Sequence, residues 1–189
     1  MIKKAYRLLN TLKYLKPKQL AFFIIRRKFA AKTISVSQRS SMNSALSLCP
    51  PIAVNNRLLP SGHITFLNHQ HVFDIDNIEW CPQEVSRLWR YNLHYFDYLR
   101  DASFDAEKKQ AILSSWISLN PQNSQPGWEP FTCSLRIVNW IFFLNKNASL
   151  VSKSIIDSLY LQALWLERND EKHILANHYF ENIKALLFA

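Results

Sequence analysis

The densest grouping of chemically capable side chains in the 189-residue chain is Asn177-His178-Tyr179-Phe180-Glu181-Asn182, followed by Lys184. On a helix, Asn177 and Glu181 share a face, and His178 stands beside Glu181 and Asn182. A carboxylate beside an imidazole orients it and raises its pKa. An amide next to an imidazole could hydrogen-bond a substrate carboxylate and stabilise extra charge on it. The same residues also suit a polar helix end whose histidine is satisfied in the core, and spacing alone leaves both readings open.

A second grouping is PGWEPFTCSLRIVNW, in which a loop with Trp128 and Glu129 leads into a helix with Arg136 and Asn139. Arg136 stands among apolar neighbours, so its guanidinium needs an acceptor. It could grip a sugar carboxylate or sulfate bidentately, or pair with Glu129 as a structural bridge. A third grouping, Trp89-Arg90-Tyr91-Asn92-Leu93-His94-Tyr95, interleaves polar and aromatic groups. It could line a saccharide cleft, with Asn92 and His94 reading hydroxyls, or form the packed entry to a helical domain. His69 and His71 alternate like strand positions, but no third ligand is in view, so no metal site is expected. Cys49, Cys81 and Cys133 are far apart and odd in number, which argues against a metal cluster or a disulfide framework and for free buried thiols.

The composition excludes several classes. Gly62 and Gly127 are the only glycines. Gly-rich phosphate loops and dinucleotide fingerprints need several close together, so no nucleotide cofactor is expected. Hydrophobic residues make up 48% of the chain, enough for a globular core. The six tryptophans suit either a carbohydrate cleft or a large core, and the core is the commoner place for each. The net charge of +9 is uneven: residues 1–60 hold twelve Lys and Arg with no acid, whereas the remainder holds eleven basic and fourteen acidic residues. The basicity therefore belongs to an N-terminal arm, which suits a solvated helix face or a membrane surface better than nucleic acid. The run Leu20 to Ile25 is too short to span a bilayer, and no convincing export signal is visible.

Around these residues the pattern is mainly helical. Residues 2–16 and 18–32 read as two basic helices separated by Pro17, and 33–62 as a Ser/Asn/Pro-rich linker. HITFLNHQHVF has the alternation of one or two short strands. The segment from Ser86 places Leu88, Trp89, Leu93, Phe96 and Leu99 in an apolar stripe. Helices then follow from an Asp105 cap to about Leu119, from Pro130 through FTCSLRIVNWIFFLN, over about 150–168, and from near Ile174 onward. Helices of similar length joined by short loops suggest stacked hairpins. ENIKALLFA stops with an apolar face and no cap, which predicts a fragment or half of a split protein.

Three blocks together carry a resemblance: LWRYNLHYFDYL, PGWEPFTCSLRIVNWI and SLYLQALWLERNDEKHILANHYFENIKALLFA. In order and spacing, residues 63–189 resemble the N-terminal domain of heparinase II/III-type and alginate-lyase-type polysaccharide lyases. The last block, with NHxFEN-x-KAL, is the most specific. The resemblance implies a partial (α/α) toroid, followed in the family by an antiparallel β-sandwich. It implies β-elimination on a uronic-acid-containing, anionic polysaccharide, without a cofactor. Asn177 matches the amide that neutralises the uronate carboxylate, His178 the adjoining histidine, and Glu181 a supporting acid. Arg136, Trp128 and Glu129 match conspicuous family positions. The tyrosine and second histidine of proton transfer have no counterpart here, so the chain by itself is expected to show little or no turnover. The resemblance implies a periplasmic enzyme, with a cytoplasmic or membrane-peripheral place as the alternative. A different class also fits: a noncatalytic helical module that meets anionic glycan or membrane through residues 1–32.

Overall fold

In the computed structural model, the described residues are 6, 10, 12–28, 33–35, 52, 58–59, 62–102, 104–174 and 176–189. Much of the expected first basic helix (2–16) and most of the expected linker (33–62) lie outside them. The described part is mainly α. Its helices are α1 (Pro17–Lys28), α2 (Arg87–Tyr95), α3 (Ala106–Leu119), α4 (Pro130–Lys146), α5 (Lys153–Asn169) and α6 (Ala176–Phe188). A small antiparallel sheet precedes α2, in the order β1 (Leu58–Leu59), β2 (His63–Phe66), β3 (His69–Val72).

Local chemistry explains most boundaries. Ser86, Asp105 and Ser152 each accept a backbone N–H at the start of α2, α3 and α5, the ordinary N-cap arrangement. Pro130 opens α4, where its missing N–H costs nothing. Glu129 precedes it but does not cap, because its carboxylate is engaged by Arg87 and Tyr91. With so few glycines, the helix ends use asparagine. Asn120, Asn147 and Asn169 each donate a side-chain N–H to the carbonyl four residues back, closing α3, α4 and α5. α2 ends differently, at Phe96, which is buried in the left-handed region (φ 63°). Asn139 of α4 donates to the Tyr95 carbonyl beside it.

The hairpin turn is Leu67-Asn68, both at positive φ, with Phe66 opposite His69. This is the conformation that two-residue hairpin loops require, and leucine is an unusual occupant. β1 lies in what reads as linker; it is held by pairing Leu58 with Ile64 and Leu59 with His63. Ile64 and Phe66 turn inward from β2, and Phe66 meets the ring of Trp89 edge-on at 5.1 Å. Sheet and helices therefore share one core. Leu88 departs from the expected stripe: it is exposed, whereas Trp89, Leu93, Phe96 and Leu99 are buried. The left-handed turn at Phe96 redirects the chain, so one helical period does not run through to Leu99.

All six tryptophans lie in this core. Trp116 is central, edge-on to Phe96 and Trp140 and tilted against Trp128. The indole N–H groups of Trp80, Trp89, Trp116, Trp128 and Trp165 each find an acceptor, and that of Trp140 has none among the described residues. The tryptophans thus build the interior and do not form a stacking platform for sugars.

Gly127 sits where a side chain has no room: a Cβ would stand 2.9 Å from His94 Nδ1 and 3.0 Å from His94 Cε1. Gly127→Ala should overpack this junction and cost about 1–3 kcal/mol. Thermal unfolding should show a Tm lower by several degrees, and an unchanged Tm would contradict this packing.

Candidate functional site

The N-terminal half of α6 meets the start of α4 at one polar junction. Asn182 is buried and directs its amide two ways. Its Oδ1 accepts the Glu171 backbone N–H at 2.7 Å, and its Nδ2 donates to Ser134 Oγ at 2.9 Å. Ser134 Oγ in turn donates to the Pro130 carbonyl at 2.8 Å. These bonds fix α6 to α4 and hold the loop at Glu171 against both. Ala176, the first residue of α6, has φ 48°, a strained value for a residue with a Cβ.

On this frame, His178 is half-buried with its ring 4.4 Å from that of Phe131, centroid to centroid. Its Nδ1 lies 3.2 Å from Glu171 Oε1. A carboxylate oxygen accepts, so the contact is a hydrogen bond when Nδ1 carries a proton, and Nε2 lies on the far side of the ring. Glu171 is itself buried, which favours a single ring orientation. Asn177, the preceding residue, is exposed. Beyond Phe131 the aromatic row continues: Tyr95 meets Phe131 edge-on at 6.1 Å, and Tyr91 lies parallel to Tyr95 at 6.4 Å. Tyr91 donates its hydroxyl to Glu129 Oε2 at 2.5 Å, and Arg87 pairs with Glu129 Oε1 at 2.7 Å. Burial and, after it, Glu129 push the hydroxyls of Tyr91 and Tyr95 up to about 12. Both therefore remain protonated at neutral pH, able to donate but not to act as bases.

The other candidates fall elsewhere, and several need correction. Arg136 does not pair with Glu129, whose partners are Arg87 and Tyr91; it is fully buried in α4. Its Nη1 donates to the Gly127 carbonyl at 2.6 Å and its Nε to Gln162 Oε1 at 2.7 Å, with the guanidinium 3.9 Å above the Trp116 ring. His94 is also interior, with Nε2 donating to the Trp80 carbonyl and Nδ1 accepting from Trp116 Nε1, both at 2.9 Å. No ring nitrogen remains for a sugar. Trp128 is buried and gives its N–H to the Asn120 carbonyl. Asn92 is half-buried and bonded to the Leu88 carbonyl of its own helix. Glu181 pairs with Lys184 at 2.5 Å, so the carboxylate on His178 is Glu171.

Glu171 was not visible from helical spacing because it lies in the loop before α6, seven residues from His178. Spacing marks Asn182 only as a neighbour of His178; its linking role depends on Ser134, 48 residues away. A further cluster draws on segments too far apart in sequence for spacing to join them: His71, Glu79 and Glu84 bring one donor atom each to within 4.8 Å of one another. Cys133 is a free, buried thiol, raised to about 11 by burial. Among the described residues no helix is long and apolar enough to cross a membrane. Comparisons with protein-family models, curated proteins and solved structures find no match to this chain.

The buried imidazole of His94 makes stability pH-dependent. Burial first, then the Arg136 charge, lower its pKa from 6.5 to about 3. The unfolded chain therefore binds a proton that the folded chain refuses between these values. This contribution is fully present above about 6.5 and is lost as pH falls towards about 3, at up to about 1.4 kcal/mol per pH unit. Denaturant unfolding across this interval should show the slope, and His94→Gln should remove its share of it. An equal slope in the variant would contradict the assignment.

Proposed function

We propose that this chain is the uronate-recognising helical part of a polysaccharide lyase that cleaves by β-elimination, with its helices forming part of an (α/α) toroid. The observation that carries the reading is the exposed Asn177 amide beside a His178 ring oriented by buried Glu171, at one end of the row Phe131–Tyr95–Tyr91–Glu129. The reading also rests on the resemblance of the three sequence blocks to heparinase II/III-type proteins.

The chemistry follows from what each group can do. β-Elimination removes the proton at C5 of a uronate, places that electron pair in a C4=C5 double bond, and expels the oxygen at C4, which takes up a proton. The C5 proton is only weakly acidic, and negative charge grows on the carboxylate as it leaves. An amide donor placed at that carboxylate is worth more in the transition state than in the ground state. Asn177 is the donor in this reading. His178, with Nδ1 held by Glu171, offers Nε2 as an acceptor beside it. Tyr95 stays protonated and is suited only to donate. The substrate class is anionic polysaccharide of the heparan sulfate, alginate or bacterial surface type, and a periplasmic setting belongs to the same proposal.

A second reading is noncatalytic binding of anionic glycan or membrane through residues 1–32. Ile24 and Ile25 are exposed on α1, while Gln19 of that helix reaches the His173 and Ile174 carbonyls. One set of measurements separates the two. Calorimetric titration with heparan sulfate and alginate oligosaccharides should show saturable binding. Asn177→Ala or His178→Ala should weaken it about tenfold, the loss of one charge-assisted hydrogen bond. Ultraviolet absorbance of the unsaturated product should show little or no turnover by this chain alone. Binding that ignores both substitutions but disappears with residues 1–32 and with salt would reject the lyase reading in favour of the second.

A further inference from the structure

We propose that His71, Glu79 and Glu84 form a site for a divalent transition-metal cation of the zinc class. The three donor atoms, one imidazole nitrogen and two carboxylate oxygens, already lie within 4.8 Å of one another. Ligands at roughly 2.0–2.2 Å from one ion stand roughly 3–4 Å apart, so rotamer adjustment of the two glutamates is enough to close on it. Both glutamates are exposed and have that freedom.

The backbone beneath each ligand is held independently. His71 lies on β3 opposite Ile64, its ring edge-on to Trp89 at 5.4 Å, and Trp89 Nε1 donates to the His69 carbonyl of the same strand. Glu79 sits between buried Ile78 and buried Trp80, whose carbonyl receives the His94 Nε2–H. Glu84 precedes buried Val85 and the Ser86 cap of α2. The convergence is thus a product of three anchored segments.

Charge supplies a separate argument. Two like-charged carboxylates converge here, and among the described residues neither has a hydrogen bond or an ion pair with a cationic side chain. Some other acids do take lysine or arginine, as Glu129 takes Arg87, Asp157 takes Lys153 and Glu181 takes Lys184. A bound dication would offset the repulsion. A mixed nitrogen and oxygen set favours a borderline metal over calcium or magnesium, which prefer all-oxygen shells. Three protein ligands leave one or more positions for water. The site is separate from the α4–α6 junction and does not depend on the lyase reading.

Titration of the metal-free full chain with zinc should show one saturable site with a micromolar or lower Kd. Zinc in excess should raise Tm through linkage. His71→Phe keeps a ring against Trp89 but removes the ligand, and Glu84→Gln removes one charge. Each should weaken zinc binding at least tenfold and abolish the Tm gain, while leaving the metal-free Tm unchanged. Magnesium and calcium should not compete at equal concentration. The absence of saturable zinc binding would overturn the proposal. So would binding that survives both substitutions, which would place the metal on other histidines, or equal binding of magnesium to the wild type and His71→Phe, which would reveal only an acidic patch.

Discussion

The Arg136 guanidinium carries its charge into the interior of the helical body, and much of the packing answers to that fact. Burial lowers its pKa to about 10, so it stays protonated at neutral pH. No carboxylate meets it. Its charge is offset by the Gly127 carbonyl, the Gln162 amide oxygen and the face of Trp116. Charge–dipole and cation–π contacts in a dry setting are individually worth a few kcal/mol at most, about 2 or more for a desolvated cation–π pair. They must act together to offset a desolvation penalty of several kcal/mol. Each of the three lies on a different segment: the loop before α4, α5 and α3. Arg136 on α4 therefore ties four parts of the chain together, and moving any one would leave a buried charge short of a partner.

The same constraint reaches His94. Trp116 can lie under the guanidinium only if its indole N–H is satisfied sideways, and His94 Nδ1 accepts it. That fixes the histidine as the Nε2–H tautomer, which the Trp80 carbonyl then accepts. A nearby positive charge and a dry environment both keep this imidazole neutral. Gly127 completes the junction because its carbonyl serves Arg136 while its missing Cβ leaves room for His94. The three residue types at these positions are explained by one packing problem, without any appeal to a ligand.

How much of this was legible in the sequence depends on the range of the interaction involved. Asp105 and Pro130 mark helix starts within a few residues, and both boundaries match the structure. The buried place of Trp89, Leu93 and Phe96 follows from apolar periodicity, but Leu88 does not share it, since the stripe is narrower than the run of large residues. That Arg136 needs an acceptor could be read from its apolar neighbours. Which acceptor could not, because Gln162 lies 26 residues on and was not distinguished by spacing. Glu129 was the nearer acid, yet Arg87 and Tyr91 had already engaged it. At the candidate site, the pairing of amide and imidazole was visible in Asn177-His178. The carboxylate that orients the ring was not, because Glu171 approaches from a loop whose path is set by Asn182 and Ser134.

The interior around Arg136 and the junction around His178 therefore differ in kind. Around Arg136 and His94, the guanidinium Nε and Nη1 and both imidazole nitrogens are turned inward and bonded to other segments, so this region fixes shape. Around His178 the polar groups are anchored on one side only: Glu171 holds Nδ1, Phe131 backs the ring, and Nε2 and the Asn177 amide are not consumed by the same contacts. A strained Ala176 immediately precedes them. Strain of about 1–2 kcal/mol persists where surrounding contacts over-determine the backbone. Here the over-determination comes from Asn182, which grips the loop before the strained residue and α4 behind it. The rigid aromatic interior thus acts on the candidate site through α4: Arg136 fixes the helix, the helix presents Ser134 and Phe131, and these set where the amide and imidazole of α6 stand.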